Sequence, residues 1–277
     1  MEATLQDKHH KLRELMGEMG TVLVAFSGGT DSTLVLAVAR EALGDSVLAA
    51  TVKSPLQPGG LIDSARVIAL RLMAGHVIIE NDELANESFV SNPPERCYLC
   101  KHARFQQMIE LANVEGLDEV ADGAQLDDLG EYRPGMRAAE ELGVRSPLLE
   151  CEFSKFEVRA LSRELGLSTW NLSASPCLAT RIPYGQKITR EKVSVIEEGE
   201  LFLRELGMRQ VRLRCIDGNV ARIEVAGNSI PALSSDGVRQ RVIDKLRSLG
   251  FSYVTLDLAG YRTGSMDETL EEARRPR

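Results

Sequence analysis

The chain has 277 residues, 43% of them hydrophobic and 5% aromatic, which suits one large domain or a large and a small one around well-packed cores. Its 33 Lys and Arg against 41 Asp and Glu leave a net charge of −8, which argues against a general electrostatic grip on nucleic acid. No apolar run approaches the ~18 residues of a membrane span, and the opening MEATLQDKHHKL lacks an apolar export core, so a soluble cytoplasmic protein with no membrane partner is expected.

Residues 5–19 read as an amphipathic helix with Leu5, Leu12, Leu15 and Met16 on one side. TVLVAF (21–26) follows, a continuous apolar run of the kind buried on both faces of a parallel sheet. From Asp31 to Leu43 the period is helical again. The alternation continues with a strand at 46–52, a helix near 61–74, a strand at 76–79, a helix near 99–113 and a strand at 118–121. Strand and helix in turn predict βαβ units and a doubly wound parallel sheet. A helix over 154–166 carries a capping box, Ser154 with Glu157 three residues on. Residues 168–188 have no period and read as a linker or functional loop. Beyond it come a helix at 189–206, a hairpin through 210–225 turning at Asp217-Gly218-Asn219, a helix at 236–249 and a strand at 252–258. These elements predict a small α+β domain over 186–277, after a larger α/β domain over 1–185, with a polar, fraying tail after Met266.

The hexapeptide Ser27-Gly28-Gly29-Thr30-Asp31-Ser32 falls at the carboxyl end of the first strand, where open α/β sheets bind ligands. Two glycines let backbone amides close on an anion, and the helix behind them points its positive end at it. Ser27 and Ser32 add hydroxyl donors, and Asp31 suits Mg²⁺ or an orienting role better than a phosphate contact. A plain tight turn with a helix cap is the bland alternative. No Gly-Lys-Ser/Thr occurs in the chain, so this is not a Walker A loop. It resembles the PP-loop of the ATP pyrophosphatases, which implies ATP as substrate, adenylation of a substrate oxygen and release of pyrophosphate.

Cys97, Cys100, Cys151, Cys177 and Cys215 are an odd number in a chain with no export signal, so metal binding or catalysis is a better question than disulfides. Cys97 and Cys100 form a C-x₂-C that a zinc site, a cluster, a redox pair or two buried thiols would all explain. Cys177 sits in the irregular loop, whereas Cys151 and Cys215 read as structural. Three candidate thiolates suit a [4Fe–4S] cluster with one open iron better than a closed four-ligand site. Arg212 and Arg214, two apart on a strand, share a face, and with Arg181 they could clamp a substrate bearing carboxylates and phosphate. A solvated charged strand is the alternative. Asp128, in DGAQLDDLGEYRPG, is a second candidate for Mg²⁺.

The segments Asp122-Gly123, Tyr132-Arg133-Pro134-Gly135, Trp170-Asn171, Arg181-Ile182-Pro183-Tyr184-Gly185, Val211-Arg212-Leu213-Arg214 and Tyr253-Val254-Thr255-Leu256-Asp257-Leu258 together resemble the LarE family of ATP-dependent sulfur transferases. The resemblance implies that carboxylates of an acidic pyridinium mononucleotide are adenylated and become thiocarboxylates. It implies Glu200 as an acidic active-site residue, and Cys97, Cys100 and Cys177 as the three-cysteine, cluster-holding type of site. Members with a single sacrificial cysteine place it where this chain has Pro176. A homo-oligomer is expected, with a sulfide donor that the sequence does not name. Three other readings stay open: a tRNA thiolase of the same superfamily, an ammonia-using ligase of the NAD synthetase type, and a non-catalytic nucleotide or cluster carrier.

Overall fold

A computed structural model describes residues 4–130, 134–173, 175–217, 219–262 and 265. In chain order the helices are α1 (Leu5–Glu18), α2 (Thr30–Leu43), α3 (Leu61–Arg71), α4 (Glu87–Val90), α5 (Arg96–Glu115), α6 (Pro134–Glu141), α7 (Pro147–Glu150), α8 (Lys155–Glu164), α9 (Arg190–Glu205), α10 (Ile230–Ser234) and α11 (Asp236–Ser248). The strands are β1 (Val22–Ala25), β2 (Val47–Lys53), β3 (Gly75–Glu80), β4 (Glu119–Ala121), β5 (Val211–Ile216), β6 (Val220–Val225) and β7 (Tyr253–Leu256). The chain divides into two compact units. The larger holds residues 1–54, 59–81 and 95–175; the smaller holds 55–58, 82–94 and 176–277.

In the larger unit the strands run parallel in the order β3-β2-β1-β4. Side chains alternate across a strand, so each strand feeds two cores. Val22, Val24, Val47 and Ala49 pack with α1, α2, α3 and α8, among them Leu12, Leu34, Val38 and Val158. Leu23, Ala50, Val52 and Val120 pack on the opposite face with Phe105, Met108 and Ala112 of α5. Burial on both faces is why these strands read as unbroken apolar runs rather than alternating ones. The α/β fold with a parallel sheet and a small second sheet is therefore as the periodicity indicates. The order also creates a switch point: from β1 the chain proceeds outward to β2 and β3, and β4 returns to β1's other side. Ligand crevices of open α/β sheets lie there.

The capping box at α8 is present, with the Ser154 amide donating to Glu157 Oε2 at 2.9 Å and the Glu157 amide to Ser154 Oγ at 3.3 Å. Helix α5 starts three residues before its sequence periodicity indicates, so Cys97 and Cys100 both lie within it.

In the smaller unit β5 and β6 form the antiparallel hairpin, and β7 pairs parallel to β6 after a crossover through α11. Gly218 of its turn lies outside the described residues, as do Tyr132 and Arg133 and the tail after Met266. Helix α9 packs on β5 so closely that a Cβ at Gly199 would stand 2.3 Å from Leu213 Cδ2. Asn92, buried and with a left-handed φ of 60°, donates from its side chain to the carbonyls of Ile182, Pro183 and Gln186 at 3.3, 2.7 and 3.0 Å. One asparagine thus organises the later part of the aperiodic stretch by supplying hydrogen bonds that no regular element provides.

Candidate functional site

The loop between β1 and α2 is built mainly from backbone. Gly28 sits at φ +71°, and a Cβ there would lie 3.3 Å from Ala65 Cα, so both conformation and space require glycine. Gly29 caps α2 without any side-chain bond, which leaves the first amides of the helix to a ligand. Ser27 and Ser32 fasten the loop's ends together: their hydroxyl oxygens are 3.0 Å apart, and the Ser27 amide donates to Ser32 Oγ at 3.2 Å. The Thr30 hydroxyl is turned away and donates to the Thr169 carbonyl at 2.7 Å.

Gly123 and Lys155 approach this loop, and Asp122 adjoins Gly123. Gly123, just past β4, comes so close that a Cβ would lie 2.9 Å from the Ser32 nitrogen. Its neighbour Asp122 is buried and accepts from the Ser146 hydroxyl at 2.8 Å, the Ala124 amide at 3.0 Å and Lys101 Nζ at 3.4 Å. Lys155 Nζ donates to both carboxylate oxygens of Asp31 at 2.6 Å. A cation therefore already rests on the acid that the motif offers to Mg²⁺, and carboxylate oxygens are the hard donors that ion takes. Asp128 is buried in its own turn, where its oxygens accept from the Gln125 amide at 3.1 Å and from Gln125 Nε2 at 3.3 Å.

The cysteines divide by environment. Cys97 and Cys100, three apart on the first turn of α5, share a helix face and are half-buried. They belong to the larger unit, whereas half-buried Cys177 belongs to the smaller one. Three thiols are the right donor chemistry for iron–sulfur binding. Among the described residues, no three His, Cys, Asp or Glu side chains are grouped to hold a metal ion. Burial pushes the Cys151 thiol up to about 11 and raises that of Cys215, so both are poor nucleophiles, consistent with structural roles.

In the smaller unit the arginines are enclosed. Arg181, 1% exposed, donates from Nε and Nη2 to the two oxygens of Glu200 at 2.8 and 3.0 Å. Its Nη1 donates to the Pro176 carbonyl at 2.9 Å and the Cys177 carbonyl at 3.2 Å. Glu200 also accepts the Leu213 amide of edge strand β5 at 3.1 Å and Arg204 Nη2 at 2.7 Å. Burial works to raise the Glu200 carboxyl, but the bonds and charge of Arg181 prevail and hold it below its ordinary value. Arg214 donates to Glu224 at 2.9 and 2.7 Å, to the Thr180 carbonyl at 2.7 Å and to Ser265 Oγ at 2.9 Å. Register sets Arg214 directly opposite Arg222, a like-charge pair that alone would be unfavourable. Glu224, two residues along β6 on the same face, bridges both guanidinium groups. The guanidinium of Arg212 lies 5.0 Å from the centroid of the Tyr261 ring, and burial, with the charge of Arg181, depresses its proton affinity.

No family model matches the chain. Individual relatives do. A protein of Lactiplantibacillus plantarum named pyridinium-3,5-bisthiocarboxylic acid mononucleotide synthase is 39% identical over 98% of this chain and 98% of its own length. The chain belongs to that synthase family, the LarE family. An uncharacterized Synechocystis protein is 41% identical over 96% of this chain and 99% of its own length. A glutamine-hydrolyzing GMP synthase of Aeropyrum pernix is 27% identical over 68% of this chain and 40% of its own length.

As a LarE-family chain it is a PP-loop α/β protein and an enzyme. Ser27, Gly28 and Gly29 lie in the loop after β1, and Asp31 and Ser32 in the first turn of α2, at the sheet's switch point. It gathers Arg181, Glu200, Arg212 and Arg214 in the smaller unit, together with Glu224 and Tyr261, which sequence reasoning passed over. Glu224 lies two residues from Arg222 on a period-two strand, a signal only once the register with β5 is known. Lys155 gave no signal beyond following an N-cap serine. No helix among the described residues is long and apolar enough to cross a membrane.

Proposed function

We propose that this chain is an ATP-dependent sulfur transferase that converts the carboxylates of pyridinium-3,5-biscarboxylic acid mononucleotide to thiocarboxylates, a step in nickel-pincer cofactor synthesis. The observation that carries the reading is the Ser27–Ser32 loop, an anion cradle closed by Gly28 and backed by α2, within a chain 39% identical along its length to a named synthase. The loop amides and the hydroxyls of Ser27 and Ser32 take the pyrophosphate portion of ATP. Asp31 takes Mg²⁺, with Asp128 as a second acid. A substrate carboxylate oxygen attacks the α-phosphorus and pyrophosphate leaves; sulfur then attacks the acyl carbon and AMP leaves with the bonding electrons. Both steps gain from charge neutralisation on the phosphates and from fixed positions, which are what a preorganised loop supplies.

Arg181, Arg212 and Arg214 are assigned to the acidic mononucleotide, and Glu200 to holding Arg181 in register with the Cys177 segment. Cys97, Cys100 and Cys177 are assigned to a [4Fe–4S] cluster, which when bound supplies the sulfide through its open iron. The bond from Arg181 to the Cys177 carbonyl supports a role for this pair in fixing that cysteine's backbone. The enzyme acts in the cytoplasm on a small molecule, as a homo-oligomer.

The test is anaerobic purification followed by iron and sulfide analysis, then turnover with ATP, Mg²⁺, excess sulfide and the mononucleotide. The expected result is pyrophosphate release with several sulfur transfers per chain, lost in Cys97→Ala, Cys100→Ala and Cys177→Ala alike. A single transfer per chain, with loss of H₂S from the protein mass and no need for Cys97 or Cys100, would reject the cluster assignment. Gly28→Val should abolish pyrophosphate release while the protein still melts cooperatively; wild-type release in that variant sinks the loop assignment.

A further inference from the structure

Cys177 carries its half-buried thiol on a backbone that is bonded on both sides. Its carbonyl accepts three donors: the Thr180 amide at 3.1 Å, the Thr180 hydroxyl at 2.8 Å and Arg181 Nη1 at 3.2 Å. The next amide, that of Leu178, donates to the Leu56 carbonyl at 2.7 Å. Arg181 serves Cys177 only while the chain after it keeps one course, and Asn92 sets that course. Asn92 is fully buried, and its side-chain nitrogen donates to the carbonyls of Ile182, Pro183 and Gln186. Its own carbonyl accepts the Gly185 amide at 2.9 Å, so side chain and main chain grip the 182–186 turn together. The left-handed φ of 60° that aims the residue this way is one that asparagine tolerates better than most side chains. Without these donors the turn's carbonyls would lose their partner and the turn would open towards water. Residues 55–58, 82–94 and 176–277 form the smaller unit, so every bond of this mount lies within one compact body.

We propose that Asn92 is a positioning residue for the sulfur-transfer step. It fixes the 182–186 turn, the turn fixes Arg181, and Arg181 fixes the Cys177 peptide that presents the thiol. Water competes with sulfur for an activated acyl carbon, so the sulfur-bearing group must be placed before AMP leaves. A misplacement of about 1 Å can cost about a hundredfold in rate. Adenylation draws on the Ser27–Ser32 loop of the larger unit and not on this mount, so the two half-reactions separate in a variant that frees the turn. The proposal rests on the sulfur-transfer reading above and adds to it a residue outside the cysteine and arginine set.

Asn92→Gly and Asn92→Asp both accommodate the left-handed backbone and both lack the amide donors, so either one separates the hydrogen bonds from the turn. The first measurement is a single anaerobic turnover with ATP, Mg²⁺, sulfide and the acidic mononucleotide, reading pyrophosphate and thiocarboxylate separately. Thiocarboxylate formation should fall by about tenfold or more in both variants, the scale of a misplaced reacting group, while first-turnover pyrophosphate release stays as in wild type. Wild-type thiocarboxylate formation in either variant overturns the proposal. So does an equal loss of both products, which would mean a merely structural role. The second measurement needs no turnover: iodoacetamide alkylation of each thiol in the protein as purified, read by peptide mass spectrometry. Cys177 should react several-fold faster in both variants, while buried Cys151 and Cys215 stay as protected as in wild type. An unchanged Cys177 rate, or faster reaction of all three thiols, contradicts a mount specific to Cys177. If wild type releases no pyrophosphate and transfers no sulfur, the functional reading fails, and the alkylation alone decides whether Asn92 holds Cys177.

Discussion

The Ser27–Ser32 loop and the arginines of β5 both read from sequence as places for an anion, yet they are made in opposite ways. The loop presents backbone amides at a helix start, with few side-chain ties and a partly exposed acid beside it. The β5 face presents guanidinium groups that are 5 to 8% exposed and committed to partners within the unit. A helix start can leave amides unfilled at small cost because water serves them. A buried guanidinium cannot wait unpaired, because losing water without a partner costs several kcal/mol. One region therefore keeps backbone donors uncapped at a helix start, and the other keeps its buried charges paired.

That contrast predicts unequal responses to substitution. The largest is expected at Glu224, which is fully buried and serves both Arg214 and Arg222. Glu224→Ala should cost about 3–5 kcal/mol in a denaturant titration, the scale for stranding a buried charge. A denaturation midpoint equal to wild type would show that the arginine face does not depend on its internal acids. Glu200→Gln should cost somewhat less, about 2–4 kcal/mol, since the amide still accepts one bond. The carboxyl of Glu200 lies below its ordinary 4.5 in the folded chain, so its contribution is full above that value and fades as pH falls through the depressed one. The stability gap between wild type and Glu200→Gln should thus be widest near neutral pH and shrink in acid; a gap that grows in acid reverses the assigned sign.

A smaller effect, on binding rather than folding, is expected at Arg212, which rests against Tyr261. Arg212→Ala should weaken the acidic mononucleotide by about 1.5–3 kcal/mol in calorimetry and leave ATP unchanged. Loss of ATP affinity instead would move this strand to the nucleotide. Smallest is Gly123→Ala, where the added methyl meets the Ser32 nitrogen at 2.9 Å and must displace loop backbone. About 1–2 kcal/mol of stability should be lost, with weaker ATP binding and no change for the mononucleotide. An equal loss for both ligands would mean that the two regions do not respond separately.

The sequence alone determined what short-range physics encodes. Unbroken apolar runs declared strands covered on both faces, Ser154 and Glu157 declared a helix start, and two glycines between a strand and a helix declared the turn at the sheet's carboxyl edge. Each of these is a bond or a period within a few residues, so the local chain carries the whole signal. What only the tertiary structure decided was which charges are already taken. Lys155 reaches Asp31 across 124 residues, Asn92 ties down residues 182–186 from about ninety residues away, and the pairing of β5 with β6 makes Glu224 the bridge between two opposed arginines. A charged side chain looks the same in sequence whether it faces water or a partner. The difference lies in desolvation and register, and both are set by which distant segments the fold brings together.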